Sequence, residues 1–197
     1  MENIKQIKKK RNKKVLKKQE KILVLNKKSL KTEERIVNPN KKTIKTEERI
    51  VILHNIRSSE NVGAMLRTAD AGGVQKVYLT GYTPAPYDKF GRKNTRLTKA
   101  SLGAEDFVIW EKQESIFSVI TKLKKTNYHL VGVEQAKTSV HYKKIKNKEK
   151  IAYIMGAEVE GIPKAVLNKC NQIAEIPMQG KKESLNVSVS LGIVLFS

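Results

Sequence analysis

Cysteine is almost absent from this sequence. Cys170 stands alone among 197 residues, which excludes an internal disulfide and any all-cysteine metal site. Histidine occurs three times, as His54, His129 and His141, and the wide separations carry no metal-ligand spacing. Long apolar runs are missing: nothing approaches the ~20 residues that a membrane-spanning helix requires. The Lys-rich N-terminus is not followed by an apolar segment of signal-peptide length. These absences argue for a cytoplasmic, reducing setting with no metal and no membrane. Acidic residues are scarce as well, 19 Asp and Glu against 40 Lys and Arg, for a formal net charge of +21. A field of that sign attracts polyanions, of which nucleic acid is the most common.

The positive charge is uneven along the chain. Residues 1–50 carry 18 Lys and Arg and 6 Asp and Glu, a net of +12. Apolar residues are sparse there except at Ile22-Leu23-Val24-Leu25, too few to offset the entropy of ordering the segment. Residues 1–45 therefore read as a basic tail, disordered or transiently helical and suited by its charge to tethering a nucleic acid, and 46–197 as one folded domain. The segment KTEERIV occurs twice, at Lys31–Val37 and Lys45–Val51. Only the second copy runs into a strong apolar stretch, so only that copy is expected in the core.

The folded part alternates strand and helix signals. RIVILHN, Arg49–Asn55, is suited to a buried strand. Val62, Met65, Leu66 and Ala69 then fall at i, i+3, i+4 and i+7, one face of a helix that Ser59 or Asn61 can cap and Gly72-Gly73 stop. Strands are expected at Val77–Leu79, Phe107–Trp110, Tyr128–Val133, Ile151–Met155 and Ile173–Ile176, with helices at Ile116–Leu123 and Val166–Cys170. Residues 81–97 form a long polar loop, and loops of that length are uncommon unless they have a job. This alternation predicts an α/β domain with a mostly parallel sheet. The last element, VSVSLGIVLF, alternates apolar with small residues and reads as a strand on pattern alone; a helix there, apolar nearly all round, would have to be deeply buried.

Three stretches carry the candidate chemistry: NIRSSENVGAMLRTADAGG after the first strand, MGAEVEGI (Met155–Ile162), and IPMQGKKESLNVSVS (Ile176–Ser190). The last combines a strand-ending Pro177, a loop, and the capping residue types Ser184 and Asn186, a place where main-chain groups can hold a ligand. Together the three resemble the motifs of the SPOUT-class, TrmH-like (SpoU) RNA ribose methyltransferases. Asn61, Gly63 and Arg67 match the first motif. Gly156, Glu158 and Gly161 match a Gly-x-Glu-x-x-Gly second motif. Ile176–Met178 and Ser184–Ser188 match the third, which is the most specific; Ala100-Ser101-x-Gly103-Ala104 is a weaker match. The resemblance covers about residues 49–197, in order.

That resemblance implies a parallel α/β sheet with helices on both faces, a C-terminal deep trefoil knot, a final helix in place of the strand, and a homodimer. It implies S-adenosylmethionine (SAM) as cofactor, held by Val133, Gly156, Gly161, Ile176, Met178, Ser184 and Leu185. The implied reaction is methyl transfer to a ribose 2′-hydroxyl of tRNA or rRNA, with Arg67, Asn61, Glu158, Ser184 and Asn186 as catalytic residues. Free Arg is a very weak base, with a pKa above ~12, so Arg67 is better suited to anchoring phosphate and stabilising a developing alkoxide. The residues also carry plainer readings. Arg67 can be a structural helix arginine, Asn61 an N-cap, and Glu158 a solvated or Lys-paired carboxylate. Ser184 and Asn186 can simply cap the last helix. His54 reads as a strand-end histidine, Cys170 as an inert buried thiol, and Trp110 as core. The competing function is a non-catalytic basic RNA-binding or assembly protein that keeps the knotted fold. A nucleotide-binding enzyme of another type is disfavoured, because neither a G-x-G-x-x-G nor P-loop glycine spacing is present.

Overall fold

In the computed structural model, residues 47–197 are described. The expected basic tail and the first KTEERIV copy lie outside them. Order along the chain is β1 (Glu48–His54), α1 (Ser59–Ala71), β2 (Lys76–Thr80), α2 (Thr95–Ser101), β3 (Trp110–Gln113), α3 (Ile116–Lys125), β4 (His129–Val133), β5 (Val140–His141), β6 (Lys150–Met155), α4 (Lys164–Leu167), β7 (Gln172–Glu175) and α5 (Val187–Leu195), with 3-10 turns at Ala104–Asp106 and Tyr142–Lys144. The strands form one sheet in the order β3-β2-β1-β6-β4-β7-β5, and every pairing is parallel.

Period-2 alternation sends successive strand side chains to opposite faces, and each face is covered. On one face Val51, Leu53, Leu79 and Met155 pack with Met65 and Leu66 of α1 and Leu191 of α5. On the other Ile52, Leu130 and Ile154 pack with Val119 and Ile120 of α3 and Val166 beside them. Met65, Leu66 and Leu191 have no exposed surface; full burial of each contributes roughly 1.5–3 kcal/mol. The expected mostly parallel α/β sheet with helices on both faces is therefore present.

Several local expectations change. The side chain of Ser58, rather than Ser59 or Asn61, caps α1, its Oγ accepting the Asn61 N–H at 3.1 Å. The strand expected at 107–110 begins three residues later. Phe107 is 67% exposed after the 3-10 turn, and it is Trp110 that aligns with Val77. Trp110 itself packs against the core, its Nε1 donating to the Glu105 carbonyl. Helix α2 occupies what reads as the end of a polar loop, started by Asn94, whose side chain accepts from the Leu97 N–H. The helix expected over 166–170 lies at Lys164–Leu167, and the two-residue β5 was not expected. Segment 187–195 is helical, as the resemblance implies and against its alternation. It is not deeply buried all round, since Val189 is 49% and Phe196, just after it, 64% exposed.

Candidate functional site

The second motif follows β6. A Cβ on Gly156 would lie 2.4 Å from the Gly161 carbonyl carbon and 2.5 Å from the Ile162 nitrogen. Glycine is needed at 156 because the loop folds back onto itself there, with Ala157 and Gly161 exchanging backbone hydrogen bonds. Gly161 has φ +66, a left-handed conformation that favours glycine. The loop's far end is held by Glu134, whose carboxylate accepts the Ile162 N–H at 2.8 Å.

This loop forms one wall of a pocket of about 260 Å³ at the C-terminal ends of β4, β6 and β7, the edge of a parallel sheet where ligands generally bind. Its lining includes Val133, Gly156, Gly161, Ile176, Met178, Ser184 and Leu185, so the structure brings every expected cofactor residue to one cavity. Glu158 and Asn186 line it too.

At its rim the three motifs are hydrogen-bonded in series. Asn186 Nδ2 donates to Asn61 Oδ1 at 3.1 Å. Asn61 Nδ2 donates to Glu158 Oε1 at 2.9 Å. The other groups fix the direction of this chain: Asn186 Oδ1 caps α5 by accepting the Ser188 N–H at 2.8 Å, leaving its Nδ2 to point at Asn61. Glu158 also accepts the backbone N–H groups of Arg57 and Ser58, at 3.0 and 3.1 Å, tying the β6 loop to the start of α1. Burial raises the Glu158 pKa, but the Arg57 amide, the Asn61 side chain and the Ser58 amide outweigh it and hold the carboxyl below its usual range. An anion accepting three N–H donors is a strong arrangement. Glu158 is thus neither merely solvated nor paired with a lysine. Ser184 lines the pocket without capping α5, a role that Asn186 fills.

Arg67 is exposed on α1 and is not among the pocket-lining residues; no ion pair to it is formed among the described residues. A Cβ on Gly63 would meet the Leu97 carbonyl oxygen at 2.3 Å, so this glycine lets α1 and α2 pack closely. His54 is buried, donating to or accepting from the Thr80 hydroxyl at 2.9 Å, and burial lowers its pKa. Burial pushes the Cys170 thiol up to about 11, leaving it unreactive at neutral pH. Among the described residues no cluster of three or more His, Cys, Asp or Glu is placed to hold a metal ion, and no helix is long and apolar enough to cross a membrane.

Sequence reasoning missed Glu134 and Gln135. Both line the pocket; Glu134 secures the Gly161-Ile162 turn, and Gln135 Nε2 donates to the Glu183 carbonyl at 2.7 Å, beside Ser184. The signal available was position: a polar pair immediately after the apolar HLVGV strand of a parallel sheet.

A sequence model of the SpoU rRNA methylase family matches residues 48–196. The 23S rRNA (guanosine-2′-O-)-methyltransferase RlmB of Bordetella pertussis is 35% identical over 147 residues, 74% of this chain and 57% of that protein. Among solved structures, the AdoMet-bound rRNA methyltransferase from Sinorhizobium meliloti superposes with a TM-score of 0.69 at 27% identity, covering 76% of this chain and 54% of that one. The TrmH/SpoU tRNA modifying enzyme of A. aeolicus gives 0.67 at 26%, covering 77% and 73%. The chain thus spans little more than half the length of the curated relatives it matches.

Proposed function

The chain belongs to the SpoU rRNA methylase family, and from that premise we propose that it transfers a methyl group from SAM to a ribose 2′-hydroxyl of ribosomal or transfer RNA. The observation that carries the reading is the Asn186–Asn61–Glu158 series at the pocket rim, which joins all three motifs around one cavity. A protein that only bound RNA would gain nothing from orienting side-chain amides at a small-molecule pocket. When bound, SAM supplies an electrophilic methyl group on a sulfonium.

The residues present fit that group. Val133, Met155, Ile176 and Met178 offer an apolar wall for an adenine, and the Gly156–Gly161 loop offers main-chain groups at close range. Glu134, Glu158 and Glu175 also line the cavity, an acidic lining in a protein of charge +21, which suits a ligand carrying net positive charge. In this reading Ser184 and Asn186 orient the ribose at the pocket mouth. Glu158 acts through Asn61 as a positioning residue. Arg67 anchors an RNA phosphate and stabilises the alkoxide as it develops, with the proton leaving to that phosphate.

Arg67 stands outside the pocket of a single chain, and α5 carries an apolar stripe at helical spacing in which Val189 and Phe196 are exposed and Ile193 is part-buried. Both features support a homodimer that completes the site. The finer topology in this reading is a trefoil knot: β7 inserts between β4 and β5, and the chain then crosses the pocket before α5 reaches the α1 face. Residues 1–45 serve as a cytoplasmic enzyme's RNA tether, and 46–197 as its catalytic domain. The test is purified full-length chain with methyl-labelled SAM and separated total RNA fractions. Label should appear in 2′-O-methylated nucleosides that resist alkaline cleavage; label only on bases overturns the reading.

A further inference from the structure

The polar stretch after β2 opens with Gly81-Tyr82-Thr83, and its backbone is fixed from both sides. Asn55, which follows β1 with φ +56, accepts the Tyr82 N–H on its Oδ1 at 3.3 Å. A Cβ on Gly81 would lie 1.8 Å from that same oxygen, so glycine is what admits the contact. From β3, Lys112 Nζ donates to the Gly81 carbonyl and, at 2.6 Å, to the Thr83 carbonyl. The Gly81 N–H donates to the Glu114 carbonyl at 3.3 Å. Thr83 is fully buried, its hydroxyl donating to the Thr80 carbonyl at 2.8 Å and accepting the Ile56 N–H at 3.1 Å. Tyr82 stands in the middle of these bonds, yet it is 58% exposed and belongs to neither apolar core. Ordering a residue costs conformational entropy, and an exposed ring returns little burial to offset it.

The turn lies on the edge of the sheet that holds the pocket. Every strand pairing is parallel, so the residues that follow β1, β2 and β6 share one edge. Strand β1 separates β2 from β6, a span of two strand spacings or roughly 10 Å. A continuous set of bonds crosses it. Asn55 and Ile56 meet the turn, and the next two residues, Arg57 and Ser58, give their N–H groups to Glu158 at the pocket rim. Stacked nucleotides advance ~3.4 Å each along a strand, so a base within about three nucleotides of a ribose at the pocket mouth reaches Tyr82.

We propose that Tyr82 is a base-stacking platform for the RNA substrate, its ring taking the face of an unpaired base beside the nucleotide whose ribose enters the pocket mouth. Every base has a π-face, so the contact tolerates sequence, whereas a base inside a duplex has its faces covered by its neighbours. The inference rests on the RNA-methyltransferase reading and deepens it: the methylated ribose belongs to a single-stranded or looped region.

The test uses the full chain and three probes, an oligoadenylate, an RNA duplex of equal length and inorganic polyphosphate, with binding followed by anisotropy or competition. Tyr82→Ala and Tyr82→Leu should each weaken oligoadenylate binding about tenfold, the order of one lost stack. Affinity for the duplex and for polyphosphate should hold. Tyr82→Phe should bind like the wild type, because the ring face and not the hydroxyl makes the contact. SAM affinity by calorimetry and the sedimentation coefficient should be the same in all four proteins, which separates a lost stack from a damaged pocket or a broken assembly. Four results overturn the proposal: unchanged oligoadenylate affinity for Tyr82→Ala, an equal loss on duplex or polyphosphate, a loss for Tyr82→Phe equal to that for Tyr82→Ala, or a change in SAM affinity or oligomeric state that accounts for the loss. Methyl transfer by the unaltered chain is read separately, and a methylated nucleotide mapped inside a continuous duplex also overturns it. If the wild type methylates ribose and Tyr82→Ala binds normally, the platform alone falls; if the selective loss is seen and no ribose is methylated, the enzymatic reading falls.

Discussion

At the scale of the residue, Glu158 connects the second motif to the first, and its ionised form does the connecting. Its folded pKa lies below the ordinary carboxylate value, so its contribution to stability is present above the unfolded pKa of about 4.3 and is lost as pH falls through the lower folded value. Glu158→Gln should therefore cost about 1 kcal/mol at pH 7, a modest figure because the side chain is exposed. The deficit should vanish toward pH 3, measured as the difference in urea midpoints between the two proteins. Arg67 behaves differently, since it holds no part of the fold among the described residues. Arg67→Ala should keep SAM affinity within a few-fold by calorimetry and lower turnover by about 10² or more, the usual loss for removing one charge stabiliser. Wild-type turnover would return Arg67 to a surface arginine. Gly156 shows how residue type and reason separate. Its place in the site was legible from the Gly-x-Glu-x-x-Gly pattern, but the crowding that demands glycine comes from Gly161 and Ile162 backbone. The fold of that turn is not written in any local pattern.

At the scale of the element, α5 presents three faces to three environments. Leu191, Val194 and Leu195 enter the core, Ser190 faces the pocket, and Val189 and Phe196 are exposed with Ile193 part-buried between them. An element that is apolar on all sides has no helical periodicity to read, and its alternating Ser and Val residues imitate a strand. The strands β1, β4 and β6 and the helix α1 were legible because each is buried on regular spacing. Helix α2 and β3 were not. The first follows polar residues and owes its start to the Asn94 cap, and the second is a half-exposed edge whose sequence, WEKQ, carries little apolar signal. Asn61, Glu158 and Asn186 were singled out separately, and only the packing of α1 beside α5 and the β6 loop joins them. The apolar stripe of α5 gives a direct test of assembly. Val189→Asp should convert a dimer to a monomer by sedimentation with little change in the melting temperature, because the side chain is exposed in the single chain. Leu191→Asp, at a position with no exposed surface, should instead prevent folding.

At the scale of the whole molecule, an acidic-lined pocket sits within a strongly basic chain, which separates the two recognition tasks. Local carboxylates favour a small cationic ligand, while the long-range positive field gathers a polyanion. About half of that field belongs to residues 1–50, with a net of +12, so the field can be halved without touching the pocket. Removing residues 1–42 stops short of Glu47, the first described residue, and leaves β1 whole from Glu48, whose N–H donates to the Glu149 carbonyl. The shortened chain should fold and bind SAM as before. Its affinity for RNA should fall, and the dependence on salt should flatten, because each phosphate no longer neutralised removes roughly 0.7 from the slope of log affinity against log salt on single strands. The position of the methylated nucleotide should stay the same, since contacts between lysines and phosphates do not read bases. Titrations at four or more salt concentrations, with both proteins on one RNA, measure the two slopes directly. Equal slopes would mean that the N-terminal charge solubilises the chain without tethering it to RNA, and that the folded domain's own net of +9 over residues 51–197 supplies the whole electrostatic grip.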